Sequence, residues 1–314
     1  MRLTARPVAR GALAALSLAL AVSLVGCGSQ PGAPANQSPE GGTARATLSS
    51  AGTRTVTKLL VFVVENHSLS QMRDQMPFTY GLAKGFAYAN HYYAIRHPSL
   101  PNYLAIAGGS TFGVADDRSP SAHRIKGHSV FGQALRKGRT AKLYADSMPS
   151  NCAVRNSGDY AARHNPWAYF VSERRACRHH DVPVSQLSRD AGSGRLPNAG
   201  MVIPNLVHDA HDGTLAAADA WIKQEVNMIR RGPDWTSGRL AIVITADEDD
   251  HNAGNKVLTV VASRSVPRHR VVTTRLNHYS LTRLYDDVLG VARLRHAKGA
   301  HSMTHAFRIP VRHR

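Results

Sequence analysis

Five short, mostly apolar runs, four of them rich in Val and Ile, constrain this chain more than anything else in it. Lys58–Val64, Ala141–Tyr144, Gly200–Ile203, Leu240–Thr245 and Val257–Ala262 lack the polar alternation of a half-exposed strand and are too short for ordinary helices. Such runs are what strands covered on both faces require. Between them lie segments with helical apolar spacing: Ser68–Lys84, Asn102–Ile106, Val130–Arg136, Thr214–Ile229 and Ser280–Leu289. Alternating strands and helices, with no internal repeat and no second linker, predict an α/β domain over residues 58–314. Its core is a doubly wound, mostly parallel sheet with helices on both faces.

The residues just past each apolar run carry the next constraint. The first run leads into Glu65-Asn66-His67-Ser68, the second into Ala145-Asp146, the third into Pro204-Asn205, and the fourth into Ala246-Asp247-Glu248-Asp249-Asp250. In open α/β sheets ligands bind at the carboxyl ends of the strands, so these polar clusters are expected to converge although they are far apart in sequence. Each of them alone reads as the start of a solvated loop; four together read as a site. Glu65, Asn66, Asp247 and Glu248 offer oxygen ligands of the number and charge that suit one hard or borderline divalent cation, whose identity the sequence leaves open. Asp249 and Asp250 read as an exposed acidic turn.

The ends of the chain have another character. Arg2, Arg6 and Arg10 precede an apolar run from Gly11 to Gly26, the layout of an export signal and too short for an ordinary spanning helix. It closes on Leu24-Val25-Gly26-Cys27, which resembles the lipobox of bacterial lipoproteins. The expectation is a signal peptide over 1–26, a lipidated Cys27 and a Gly/Pro/Ser-rich flexible linker to residue 57. The protein would then be exported and anchored to the bacterial envelope membrane without spanning it, with an ordinary signal peptide as the alternative. Cys152 and Cys177 remain as an even pair in an oxidising compartment, for which a single disulfide is the economical reading and two buried thiols the other.

Lys and Arg number 39 against 21 Asp and Glu, a net charge of +18, and there are 17 His. Anionic partners are favoured. The basic residues form no lysine-rich run and no stripe interleaved with aromatics, so nucleic acid is not the expected partner and a phosphate ester is. A monomer is expected.

The stretch Arg96-His97-Pro98-Ser99-Leu100-Pro101-Asn102-Tyr103 places a serine between two prolines at the start of a helical pattern. Backbone N–H groups and the helix dipole favour an anion there, although a serine in that place is ordinarily just a cap. Taken with Val64-Glu65-Asn66-His67-Ser68, His164-Asn165-Pro166-Trp167, Pro204-Asn205, His208-Asp209-Ala210-His211-Asp212-Gly213, Thr245–Asp250 and Asn277-His278-Tyr279-Ser280-Leu281, this ordered series resembles the phosphoesterase family of the alkaline-phosphatase-like superfamily. That family contains bacterial acid phosphatases and phospholipases C. The resemblance runs from about Lys58 to Gly290.

It implies that Glu65, Asn66, Asp247 and Glu248 hold the metal and that Ser99 is the nucleophile. It also implies that Asn102, Asp209 and Asp212 serve the substrate, and that His97, His211 and His278 surround the phosphate. Two positions depart from the pattern: His67 stands where an Arg is found in a member of the family, and Ala246 where the family often has Trp. No role is assigned to His67 or His208, and His164, His179, His180, His269, His301, His305 and His313 read as surface residues. The activity implied is a metal-dependent acid phosphomonoesterase acting through a phosphoserine, with phosphoinositides among the substrates considered. A phospholipase C-type phosphodiesterase and a lipid-anchored binding protein without turnover are the alternatives.

Overall fold

The computed structural model describes residues 54–312. The predicted signal peptide, Cys27 and nearly all of the predicted linker lie outside the described residues, as does His313. Residues 50–314 form a compact unit of their own, with a continuous hydrophobic core from Val56 to Ile309. No helix among the described residues is long and apolar enough to cross a membrane.

In chain order the strands are β1 (Lys58–Val64), β2 (Ala87–Ala89), β3 (Tyr92–Tyr93), β4 (Ala141–Ala145) and β5 (Asp181–Pro183). They are followed by β6 (Ala199–Ile203), β7 (Leu240–Ala246), β8 (Thr259–Ser263), β9 (Arg270–Val272) and β10 (Leu276–Asn277). Eight of them form one sheet in the order β5-β4-β6-β1-β7-β8-β2-β9, while β3 and β10 pair separately. β5, β4, β6, β1 and β7 run parallel, which is the mostly parallel α/β architecture expected. Every residue of β6, β7 and β8 is buried, and β1 is buried from Leu59 onward, as the absence of polar alternation requires. The fifth apolar run begins two residues late, as β8, and is antiparallel to β7.

The expected helix Ser68–Lys84 is two helices, Leu69–Gln75 and Pro77–Gly85, divided at Met76. Pro77 lacks an N–H and starts the second helix, a place proline favours. The helix expected over Asn102–Ile106 is longer, Ser99–Gly108, and wholly buried. It stops at Gly109, whose φ of +68° suits glycine and whose absent Cβ would meet the Leu294 carbonyl oxygen at 2.8 Å. Thr214 caps the long helix Leu215–Arg230, and Asn277 with Ser280 forms a capping box for His278–Leu289. Cys152 and Cys177 are joined in a disulfide.

Candidate active site

Glu65 is the first residue past β1, and Asp247 the first past the adjacent β7. Because the two strands pair in parallel with Val64 opposite Ala246, their next residues emerge side by side. The sequence-predicted meeting of two carboxylates 182 positions apart (247 − 65) is therefore built by strand register. Asn66 adopts φ 55°, the left-handed conformation that Asn tolerates better than most residues. This turns its backbone N–H onto Asp247 Oδ1 at 3.0 Å.

Ser99 opens its helix directly against this pair. Its hydroxyl donates to Glu65 Oε2 at 2.8 Å, and Tyr103, one turn further along, donates to Glu65 Oε1 at 2.5 Å. His164 completes the floor. Its Nδ1 lies 3.0 Å from Asp209 Oδ2, its Nε2 3.3 Å from Glu65 Oε2, and its ring stacks on Tyr103. Glu65, His164 and Asp209 each bring a ligand atom to within 4.8 Å of the others.

The electrostatics of this floor are those of acids without a counter-charge. Burial, then Asp247 and Asp209, hold the Glu65 carboxyl well above the usual carboxylate range. Burial lifts Asp247 to about 6 and Asp209 to about 7, and burial with Asp247 lifts Glu248 to about 9. Two fully buried polar atoms, Asp247 Oδ2 and His164 Nε2, make no hydrogen bond among the described residues, the latter only facing Glu65 Oε2 at 3.3 Å. Unpartnered buried donors and acceptors are costly in a protein interior. Clustered carboxylates, an imidazole and two orphaned atoms fit a divalent cation in number, charge and ligand chemistry.

The structure redistributes several expected roles. Of the expected ligands, Glu65 and Asp247 lie in the floor, but Asn66 reaches it through its backbone. Glu248 is occupied by Asn102 Nδ2 at 2.8 Å and flanked by His97 Nδ1 at 3.1 Å. Asn102 does not present free donors to a substrate: its amide also holds the carbonyl of Arg96 and the N–H of Ile95, so it fixes the loop that leads into Ser99. His97 lies between Glu248 and Asp249, with its ring stacked on His251 at 3.7 Å between centroids.

His278 has both ring nitrogens engaged within the protein. It is fully buried; its Nε2 donates to the Asp247 carbonyl at 2.6 Å and its Nδ1 accepts from Tyr92 at 3.0 Å. Burial pulls it down to about 4, so it is a neutral brace for the Asp247 backbone. His211 stands at the rim, its Nδ1 donating to the exposed Asp212 at 2.6 Å and its Nε2 accepting from Arg163 at 3.0 Å. Asp209 is a buried member of the floor. Asp146, at the end of β4, is engaged by His208 at 2.6 Å and belongs to the rim.

Three corrections concern residues whose sequence context suggested no role. His164 is not a surface residue but one of the most buried side chains of the site; its His-Asn-Pro-Trp motif was the signal available. Asp249 is not in an exposed acidic turn. It is buried and accepts from the backbone N–H groups of His251, Ala253 and Asn255, tying down the loop beside His97. Asp117, which no motif marked, accepts from Leu100 N at 2.9 Å and so occupies one of the free N–H groups at the start of the Ser99 helix. Among the other histidines read as surface, His179, His269, His301 and His305 are exposed and His180 is half-buried.

A hollow of about 430 Å³ adjoins His97, lined also by Tyr93, Asp249, His251 and Arg275. Arg275 lies over the Tyr93 ring at 4.0 Å.

Comparison with known proteins locates this arrangement. The model of the Phosphoesterase family matches residues 62–292. A phosphatidylinositol-3-phosphatase of Mycobacterium tuberculosis is 28% identical over 82% of this chain and 85% of its own length. A phosphate-repressible acid phosphatase of Penicillium chrysogenum is 27% identical over 64% of this chain; the chain spans about half, 51%, of that relative. Among solved structures, an alkaline phosphatase superfamily protein from Vibrio parahaemolyticus superposes with a TM-score of 0.55 at 10% identity, over 78% of this chain and 71% of its own. Human ectonucleotide pyrophosphatase/phosphodiesterase 5 superposes with a TM-score of 0.53, also at 10% identity, over 82% of this chain and 100% of its own. These likenesses show a shared fold.

Proposed function

The chain belongs to the Phosphoesterase family, and on that premise we propose that it is a metal-dependent phosphomonoesterase working through a phosphoserine on Ser99. Hydrolysis of phosphoric esters follows from the family and from its acid phosphatase relatives; the monoester preference, the metal and the covalent step are our reading. The observation that carries it is the contact of Ser99 Oγ with Glu65 Oε2 at 2.8 Å, beside an Asp247 carboxylate whose second oxygen has no hydrogen-bond partner among the described residues.

Glu65, Asp209, His164 and Asp247 would hold one divalent cation, which supplies Lewis-acid polarisation of a phosphoryl oxygen and charge neutralisation when bound. The residues of the chain do the rest. Proline on either side and the fixed Asn102 loop hold Ser99 at the helix start. Glu65 is placed to receive the proton that Ser99 gives up on attacking phosphorus, and Tyr103 holds the other Glu65 oxygen. His97, partly exposed and flanked by two carboxylates, is the imidazole placed to hand a proton to the departing alcohol, which would occupy the hollow by Tyr93 and Arg275. Arg163, held by His211 Nε2, offers a cationic group at the rim. Water then cleaves the phosphoserine and returns Ser99.

Phosphoinositides are one substrate class this reading admits, through the relative named for one. Paired assays on an aryl phosphomonoester and the corresponding choline diester test the monoester reading. Faster turnover of the monoester is expected; preferential cleavage of the diester would replace it with the phospholipase C alternative. Export and a lipid anchor at Cys27 remain part of the proposal, tested by labelling with radioactive palmitate in wild type and Cys27→Ser.

A further inference from the structure

A group of arginines lies at the end of the sheet remote from Ser99. Where the parallel strands begin, Arg139 precedes β4 and Arg239 precedes β7. They line a hollow of about 270 Å³ together with Asn198 and Arg312. A second hollow of about 830 Å³ shares Arg312 and adds Arg270, Arg293, His305 and Arg308. Arg270 opens β9, which runs parallel to β2 and, across antiparallel β8, in the same sense as β7. Its start therefore lies at this same end.

The acids here are already paired. Asp287 is held by Arg283, Arg293 and Thr304, and buried Asp234 by Lys58 and Arg239. Arg139, Arg308 and Arg312 are exposed, and none of them makes a side-chain hydrogen bond or ion pair among the described residues. Val271, 48% exposed, flanks Arg270.

We propose that this basic end is a docking surface for an anionic lipid bilayer, against which the domain sits with its catalytic site turned to the aqueous side. The form of the surface favours a bilayer over a single soluble anion. Its free guanidinium groups are exposed and lie apart, Arg139 ahead of β4 and Arg308 and Arg312 in the C-terminal segment, in two hollows instead of one enclosed site. Arginine forks suit headgroup phosphates.

The chain also enters the domain here. Arg54, the first described residue, bonds the Ser237 carbonyl, and Val56 N donates to the Pro310 carbonyl. The preceding segment, on which the sequence predicts a lipid at Cys27, is thus joined to the basic end. A lipid on Cys27 would supply the anchor, and a basic patch beside the point of chain entry would set how the domain lies on the membrane. The seven residues of β1, at about 3.3 Å each, put roughly 20 Å between this surface and Ser99. A headgroup in the docked bilayer is then out of the catalytic site's reach, and substrates arrive from solution or from another membrane.

Residues 50–314, the compact unit without leader or Cys27, test this by cosedimentation with phosphatidylcholine vesicles, with and without phosphatidylglycerol. Binding is expected only with the anionic lipid, and it is expected to weaken sharply between about 0.05 and about 0.5 M salt. At about fivefold per arginine near an anionic surface, Arg139→Gln, Arg308→Gln and Arg312→Gln combined should weaken binding on the order of a hundredfold. Turnover of a soluble aryl phosphate should stay as in wild type, which also reports an intact fold. The triple Lys variant should keep most of the binding. Equal affinity for both vesicle types, or undiminished binding by the Gln variant, would overturn the proposal. So would a Lys variant that no longer binds vesicles while wild type holds tripolyphosphate at one per chain, which would mark a soluble-anion site. Displacement of the protein from vesicles by single-stranded DNA at equal phosphate concentration would mark a nucleic-acid surface and also overturn it.

Discussion

The two ends of the central sheet carry opposite charges in opposite environments. At the carboxyl ends of β1 and β7 the side chains are acids, fully or nearly buried: Glu65, Asp247 and Glu248, with Asp209 beside them. At the amino ends of β4 and β7 stand Arg139 and Arg239, exposed to solvent. Charges in water cost little and are screened within about 8 Å at physiological salt. Charges in the interior raise one another's free energy and need a partner. The acidic end is thus strained in the absence of a cation, whereas the basic end is stable as it stands and available to a diffuse partner. A net charge of +18 describes neither end: the chemistry sits where the minority charge is concentrated.

The largest effect should come from the buried end. Ser99→Ala removes the proposed nucleophile, and turnover of a phosphomonoester should fall on the order of 10⁴-fold or more, with acid-stable phosphoenzyme no longer trapped. The side chain is small and lies at a helix start, so the melting temperature should hardly move. Near-wild-type turnover would remove Ser99 from the mechanism.

Chelation comes next. It should abolish activity, and a panel of divalent cations should restore it to differing degrees. Added cation should also raise the melting temperature of the chelated protein, because it relieves the repulsion among Glu65, Asp209 and Asp247. In Glu65→Gln or Asp247→Asn that stabilisation should be much smaller, while the variants themselves should be no less stable than wild type without metal. Full activity after exhaustive chelation, or a melting temperature indifferent to cation, would break the contrast between a strained end and a relaxed one.

A smaller effect tests whether the two ends are independent. With roughly 20 Å between them and a screening length of about 8 Å at physiological salt, Arg139→Gln with Arg308→Gln and Arg312→Gln should change kcat/KM on a soluble monoester by less than about twofold at that salt. A larger change would mean that the basic end steers substrate, and the comparison would have to be redrawn as one continuous field.

How far these ends were legible in the sequence depends on the physical origin of each. The five adjacent strands β4, β6, β1, β7 and β8 and the meeting of Glu65 with Asp247 were readable, because apolar runs and the parallel-sheet rule are local or topological. The two- and three-residue strands β2, β3, β5, β9 and β10 are too short to carry such a run. The direction of β8 was not, since an apolar run carries no sign. The roles of Asn102, His278 and Asp249 were misjudged because each depends on where a side chain points. Asn102 turns back onto Arg96, His278 onto the Asp247 carbonyl, and Asp249 onto a loop of its own. His164 sat in a recognised motif but lies far in sequence from Glu65 and Asp209, its neighbours in space. The basic end was invisible because no two of Arg139, Arg239, Arg270 and Arg312 are close in sequence; only strand order assembles them.

The least effect, and the sharpest control, lies at Asp181, away from both ends on edge strand β5. It is fully buried, accepting from Asn165 Nδ2 at 2.8 Å, with its other oxygen unpartnered among the described residues. Burial lifts its carboxyl from 3.8 to about 8. An acid whose pKa rises on folding favours the folded state fully below its unfolded value, and this contribution is lost as pH climbs through the folded one. Asp181 should therefore make the domain less stable as pH rises from about 4 to about 8, and Asp181→Asn should flatten that part of the melting-temperature profile. The neighbouring Cys152–Cys177 disulfide leaves no free thiol to help this acid hold a cation. The variant should accordingly keep the whole of the cation-induced stabilisation seen in wild type. If Asp181→Asn instead removed the cation response and left the pH slope untouched, the buried acid that needs a counter-charge would lie at the sheet edge, and the distinction between the two ends would lose its physical basis.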